Sequence, residues 1–174
     1  MKLPYEVQKT NGSHGLYATV DLPAGSIVVK LHGKYSKKPT RASIQIGERH
    51  IHSAYGGYVN HHCEANTLLM IAVKNLDGEQ GVVPWYSRIS GTLTSMAIGN
   101  PYPVLVATTL IPSGTQINFN YNHSESLLAE PFICDCCGNW IRGKDYKEPR
   151  LDKSSEIFEH RGFEWAMFLH CGII

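Results

Sequence analysis

Sixteen glycines and nine prolines punctuate this 174-residue chain, most of them before about residue 125. Glycine loses the most backbone entropy on ordering and proline removes a hydrogen-bond donor, so regular elements tend to stop at both. The segments between them are short and rich in Val, Ile, Thr and Tyr, which predicts a mainly β chain with few helices. Strands are expected at Leu16 to Val20, Ile27 to Leu31, Ser43 to Ile46, Thr67 to Lys74, Thr92 to Ala97, Val104 to Leu110 and Gln116 to Asn120. Two of the intervening turns are near copies, Asp21-Leu22-Pro23-Ala24-Gly25-Ser26 and Thr109-Leu110-Ile111-Pro112-Ser113-Gly114-Thr115. Each places proline two residues before glycine, the composition of a tight turn between strands. Taken alone, they read as two unrelated hairpins.

One region has helical spacing. From about Asp152 to His170, Phe158, Trp165, Phe168 and Leu169 fall on one face, with Asp152 as N-cap and Gly162 as a weak point. This predicts a C-terminal helix packed on the strand-rich body, after a hinge at Glu148-Pro149-Arg150. The length suits one core. With 43% hydrophobic and 18% charged residues the chain belongs with globular proteins, and its net charge of +1 provides no general field toward nucleic acid or anionic lipid. No apolar run is long enough for a membrane span, so neither a membrane nor nucleic acid is an expected partner. Lys30, Lys34, Lys37, Lys38 and Arg41 lie in a stretch without carboxylates and read as a solvated basic face.

Three of five cysteines, Cys134, Cys136 and Cys137, fall within four positions, and the start Met1-Lys2-Leu3-Pro4-Tyr5-Glu6 lacks the apolar segment of a secretory leader. A reducing compartment, cytoplasmic or nuclear, is therefore expected, with thiols available to a metal. A tetrahedral zinc site would need a remote ligand, for which Cys63 is the candidate, while Cys171 reads as packing. The segment Tyr58-Val59-Asn60-His61-His62-Cys63-Glu64-Ala65-Asn66 leaves three uses open: a metal site, a cysteine nucleophile activated by histidine, or a polar loop for a small molecule. Gly114-Thr115-Gln116-Ile117-Asn118-Phe119-Asn120-Tyr121 reads as a strand ending on a tyrosine.

In order along the chain, Gly12-Ser13-His14-Gly15-Leu16-Tyr17-Ala18-Thr19, Asn60 to Asn66, Gly114 to Tyr121 and the Cys134 cluster resemble the SET-domain protein lysine methyltransferases over about residues 12–143. The middle motif matches the family's N-H-S-C-x-P-N and the third its G-E-E-L-T-F-D-Y, and the two proline turns fall where the family has paired hairpins. The resemblance implies a SET-domain fold of small antiparallel sheets with a C-terminal pseudoknot. Residues 1–130 would form the SET domain, with an insertion at about 75–103; 131–147 would be a post-SET-like cysteine segment and 148–174 the helical tail. The insertion carries Trp85, Tyr86, Met96 and Tyr102, to cover the substrate channel or to form a surface hairpin.

The resemblance further implies S-adenosylmethionine as cofactor, held by His14, Gly15, Leu16, Tyr17, Tyr58, Asn60, His61 and Tyr121, with Tyr121 as the catalytic residue beside the transferred methyl. The substrate would be a lysine of a protein or peptide, histone-like among the options. Tyr121 is expected to orient the amine rather than act as an obligatory base. A scaffold repurposed for a small-molecule metabolite, or a non-catalytic binding module, are the alternatives. The chain departs from the family pattern at Ser13, Ala65, every acid of the third motif, and Lys30-Leu31-His32-Gly33-Lys34, where a second channel tyrosine is missing. Ile141 stands where the tail's third cysteine belongs, so zinc would require Cys63, Cys134, Cys136 and Cys137.

Overall fold

The structure is a computed structural model that describes residues 3–10, 12–74, 80–84 and 101–147. The expected strand Thr92 to Ala97, the C-terminal helix and Cys171 lie outside them. The described chain is mainly β, with three-residue 3-10 turns at Gly56–Tyr58 and Tyr121–His123 as its only helical elements. No helix among the described residues is long and apolar enough to cross a membrane.

Among the described residues, thirteen strands form three sheets. β1 (Tyr5–Thr10) and β2 (Ser13–Ala18) make a hairpin, and β3 (Ile27–Lys30) follows the first proline turn. β4 (Gly33–Ser36), β5 (Ile44–Ile46) and β6 (Arg49–Ser53) form a separate three-stranded sheet in the order β4-β6-β5. β7 (Asn60–His61), β8 (Thr67–Lys74), β9 (Gln80–Pro84), β10 (Tyr102–Ala107) and β11 (Gln116–Phe119) complete the large sheet, whose main path runs β1-β2-β11-β8-β10-β3. β12 (Phe132–Ile133) pairs with β13 (Trp140–Ile141) around the cysteine cluster.

The two copied turns are not hairpins, which corrects one expectation. β2 pairs with β11, and β3 with β10, so each turn connects strands that do not pair with each other. The turns lie side by side: Leu22 and Ile111 exchange backbone hydrogen bonds of 2.8 and 2.9 Å, and the Ser113 N–H donates to Asp21 Oδ1 at 2.8 Å. Both close identically, by Ser26 N–H to Pro23 O and Thr115 N–H to Pro112 O. Gly25 and Gly114 sit at φ of 79° and 83°, a region that side chains disfavour and that these turns require at their third position.

β11 comes late in the chain yet occupies the middle of the large sheet. It runs antiparallel to β2 and parallel to β7 and β8, pairing Asn118 with Asn60 and Phe119 with both His61 and Thr67. Where the neighbouring strand changes, Asn66 and Asn118 replace the ladder: each backbone N–H donates to the other's Oδ1 at 3.0 Å. The core beneath contains Leu16, Val29, Leu69, Leu105, Ile111 and Ile117, all essentially inaccessible to water. Each such burial is worth roughly 1.5–3 kcal/mol before conformational entropy is subtracted. The three-stranded sheet alternates between this core and a second packing surface. Ile44 and Ile51 pair on the core side, while Gln45 and His50 pair on the other.

Candidate functional site

Tyr121 leaves the end of β11 as the first residue of a 3-10 turn. Asn120 caps the turn, its side chain accepting from Asn122 N–H at 3.0 Å, and reaches back to donate to Cys63 O at 3.2 Å. The Tyr121 hydroxyl donates to Val59 O at 2.9 Å. Around the ring stand Phe119, His61 and Phe132, with centroids at 4.8, 5.3 and 6.1 Å. Burial raises the phenol pKa far above its ordinary value; the nearby Glu125 adds to the rise and Arg41 opposes it. Tyr121 is therefore a neutral hydroxyl whose hydrogen is already committed, with oxygen lone pairs left to accept.

His61 links this tyrosine to the cysteines. The Tyr121 backbone N–H can only donate, and it does so to His61 Nδ1 at 3.1 Å, which in the neutral ring puts the proton on Nε2. Nε2 faces Cys63 Sγ at 3.5 Å. Burial, with His62 and His123 nearby, pushes the His61 pKa down to about 4, so the ring remains neutral at physiological pH. Neither ring nitrogen is left for a ligand.

Other expected cofactor residues divide into two groups. Asn60 Nδ2 donates to His14 O at 3.0 Å, and the His14 and Tyr58 rings lie 6.1 Å apart, with Tyr58 39% exposed. These three meet at one edge of β7, forming an accessible aromatic face beside a carboxamide. Such a set fits a nucleoside-bearing ligand, which needs a stacking surface and a directional polar contact. Leu16 turns its side chain into the core and can offer only main chain. Gly15 is buried where a Cβ would run into the Gln116 amide and Tyr17 ring. Tyr17 pairs across the strands with Gln116 and donates to Thr10 Oγ1 at 3.1 Å, so its hydroxyl does not join the Asn60 group.

Cys63, Cys134, Cys136 and Cys137 converge, with all four sulfurs within 4.8 Å of one another. The spacings Cys63–Cys134, Cys63–Cys137 and Cys134–Cys136 are 3.8, 3.4 and 2.9 Å. Tetrahedral zinc with Zn–S bonds of about 2.3 Å needs sulfurs about 3.8 Å apart, so this donor set could hold such an ion after small side-chain adjustments. Backbone hydrogen bonds from Cys134 N–H to Asn139 O and from Gly138 N–H to Cys134 O fold the loop so that adjacent Cys136 and Cys137 both face Cys63. Burial and thiol contacts raise the Cys63 pKa, whereas hydrogen bonds from the Cys134 thiol and Cys63 N–H lower that of Cys136 to about 7.

Sequence reasoning missed several parts of the site. The Val59 carbonyl carries no side-chain signal, and Phe132, two residues ahead of Cys134, belongs to no motif. Glu125, with Gln45 and His50 beneath it, had no motif at all.

No family model and no curated protein matches the sequence. Among solved structures, the chain is similar to KRYPTONITE in complex with mCHH DNA, H3(1-15) peptide and SAH, at a TM-score of 0.52 and 16% identity. It is also similar to KRYPTONITE in complex with mCHG DNA and SAH, at a TM-score of 0.51 and 16% identity. Each match covers 78% of this chain and 28% of the other, so this chain spans little more than a quarter of the proteins it resembles. The architecture here is the SET-domain fold.

Proposed function

We propose that this chain is an S-adenosylmethionine-dependent methyltransferase acting on a lysine side chain of a protein or peptide, with a histone-like tail as the first substrate to try. The observation that carries the reading is the Tyr121 hydroxyl, held by its bond to Val59 O within the Phe119–His61–Phe132 cage. S-adenosylmethionine, when bound, would supply an electrophilic sulfonium methyl for the lysine nitrogen, with the electrons of the carbon–sulfur bond left on sulfur.

The residues of the chain supply alignment and dryness. The Tyr121 oxygen accepts an N–H of the amine and aims its lone pair, because its own hydrogen is spent on Val59. The incoming amine must first lose a proton, and its ordinary pKa of about 10.4 falls when the stem is desolvated among aromatic rings. Water carries that proton away, since a phenol with a raised pKa is a poor base at neutral pH. Asn60, His14 and Tyr58 would hold the nucleoside end, and the main chain of Gly15 and Leu16 would border it. Zinc bound by Cys63, Cys134, Cys136 and Cys137 would fix Cys63 and, through His61 Nε2, the backbone of Tyr121.

Calorimetry with S-adenosylmethionine and its demethylated product, followed by a labelled-methyl assay on histone peptides, protein extracts and metabolite pools, tests the proposal. Cofactor binding with label in protein lysines supports it. Label entering only small molecules would move the acceptor to that class, and a folded sample that binds neither cofactor form would overturn the reading.

A further inference from the structure

Outside the catalytic cage, the chain buries a carboxyl against an imidazole. Glu125 and His50 are 4% and 6% exposed, and Glu125 Oε2 lies 3.9 Å from His50 Nδ1. That nitrogen is buried and has no hydrogen-bond partner among the described residues. A buried imidazole nitrogen without a partner is costly in either tautomer, so the site calls for one proton between it and the group it faces. The group across from it is a carboxyl, which donates when protonated.

The surroundings tie this pair to Tyr121. The Glu125 N–H donates to Tyr121 O at 2.8 Å, and its carbonyl accepts from Lys144 N–H at 2.9 Å. Oε1 accepts from Gln45 N–H at 2.8 Å and from Ser124 Oγ at 3.3 Å. The Gln45 amide then stitches the next residue down, with Oε1 accepting from Ser126 N–H at 2.7 Å and Nε2 donating to Ser126 Oγ at 3.1 Å. The turn bearing Tyr121 is thus fastened to β5 and β6 through one carboxyl and one amide.

We propose that Glu125 is a positioning residue for Tyr121, sharing a single proton with His50 and thereby locking the tyrosine's turn onto the three-stranded sheet. The role assigned to Tyr121 rests on the methyltransferase reading above. Burial favours the uncharged form of each partner, pushing Glu125 up to about 7 and His50 down. The charged and titratable groups facing them are Lys144 and Tyr121 at the carboxyl, His52 at the imidazole, and Arg41, which acts on Tyr121. Loss of the proton removes the donor to Nδ1 and leaves a negative charge beneath the turn.

The test uses the full chain and the variants Glu125→Gln, which keeps a donor at every pH, and Glu125→Ala, which keeps none. NMR with labelled carboxyl and imidazole groups should show Glu125 and His50 shifting together in one step near neutral pH, and the Tyr121 amide should exchange faster in Glu125→Ala. Neither readout needs turnover, so a chain that binds no cofactor but shows both retains the pair and loses only the methyltransferase reading. With turnover, Glu125→Ala should lower kcat about tenfold with KM and cofactor affinity little changed, as a misplaced catalytic group does. The kcat ratio of Glu125→Gln to the parent should rise from pH 6 to pH 8.5, a trend that a merely structural role would not produce. Independent titration of the two side chains, with Glu125 ionising in the ordinary carboxylate range, overturns the proposal. So does unchanged Tyr121 exchange in a folded Glu125→Ala protein.

Discussion

Tyr121 enters its cage with both of its ends occupied, the N–H on His61 and the hydroxyl on Val59. A hydroxyl so placed is worth more to alignment than to binding, because its free lone pairs matter only once an amine is beside them. Tyr121→Phe is accordingly expected to lower kcat by about 100-fold while the cofactor Kd changes less than about threefold. Asn60→Ala should do the reverse, weakening cofactor binding about tenfold with a smaller effect on kcat; stopped-flow and calorimetric titration would separate the two. Asn120 shows why the lost acids of the third motif need not disable the turn. A carboxamide oxygen accepts from Asn122 N–H as a carboxylate would, without the charge. Glu125 carries the pH dependence. Its folded pKa of about 7 lies above the ordinary carboxylate value, so between the two the folded state binds more protons and stability falls as pH rises. Replacing it with Gln should remove that slope, so Glu125→Gln gains on the order of 2–3 kcal/mol relative to the parent between pH 4.5 and pH 8. Denaturant titrations at both pH values check this, and a flat difference would count against a buried acid.

The strands that were legible and those that were not differ in a physical way. Thr67–Lys74 was read correctly because an apolar run with β-branched residues marks a buried strand wherever it falls. β10 ends at Ala107 rather than Leu110, and β2 at Ala18 rather than Val20, since the ladders stop where the copied turns take over; β2 begins at Ser13 rather than Leu16 because its hairpin with β1 pairs Thr10 with Ser13. β6, Arg-His-Ile-His-Ser, carries one aliphatic residue and no usable alternation. It is a strand because Ile51 meets the core on one side and His50 meets Glu125 on the other. β4, Gly-Lys-Tyr-Ser, was missed for the same reason and is held by its pairing with β6. β11 sits in the middle of the large sheet, between β2 and β8. Ile117 lies opposite Leu16, both fully buried, so Ile117→Ala should cost roughly 2–5 kcal/mol in denaturant unfolding. An effect below 1 kcal/mol would mean that β11 is not packed in the core as described.

Across the molecule, the cysteine cluster ties the hairpin of β12 and β13 to the site. Cys63 belongs to the loop after β7 and its three companions to the hairpin of β12 and β13, so an ion on all four would close a loop of 71 to 74 residues. The purified protein should carry a single equivalent of zinc, and chelation should lower its Tm by at least roughly 4 °C, since about 1–2 kcal/mol is the least such a closure contributes. Cys137→Ser should abolish stoichiometric zinc and Cys171→Ser should not. Metal analysis of the two variants decides the point, and equal loss in both would exclude the fourth ligand assigned here.

What a short stretch of chain can encode was readable from the residues alone. Proline two places before glycine predicts a turn with positive φ, and the ordered motifs predict a SET-domain fold, because both depend on neighbours within a few positions. The partnership of the two turns and the contact of Glu125 with Gln45, 80 residues away, depend on which surfaces are buried together. Packing chooses such pairs by closing water out of both faces of a strand at once, and no local pattern records that choice.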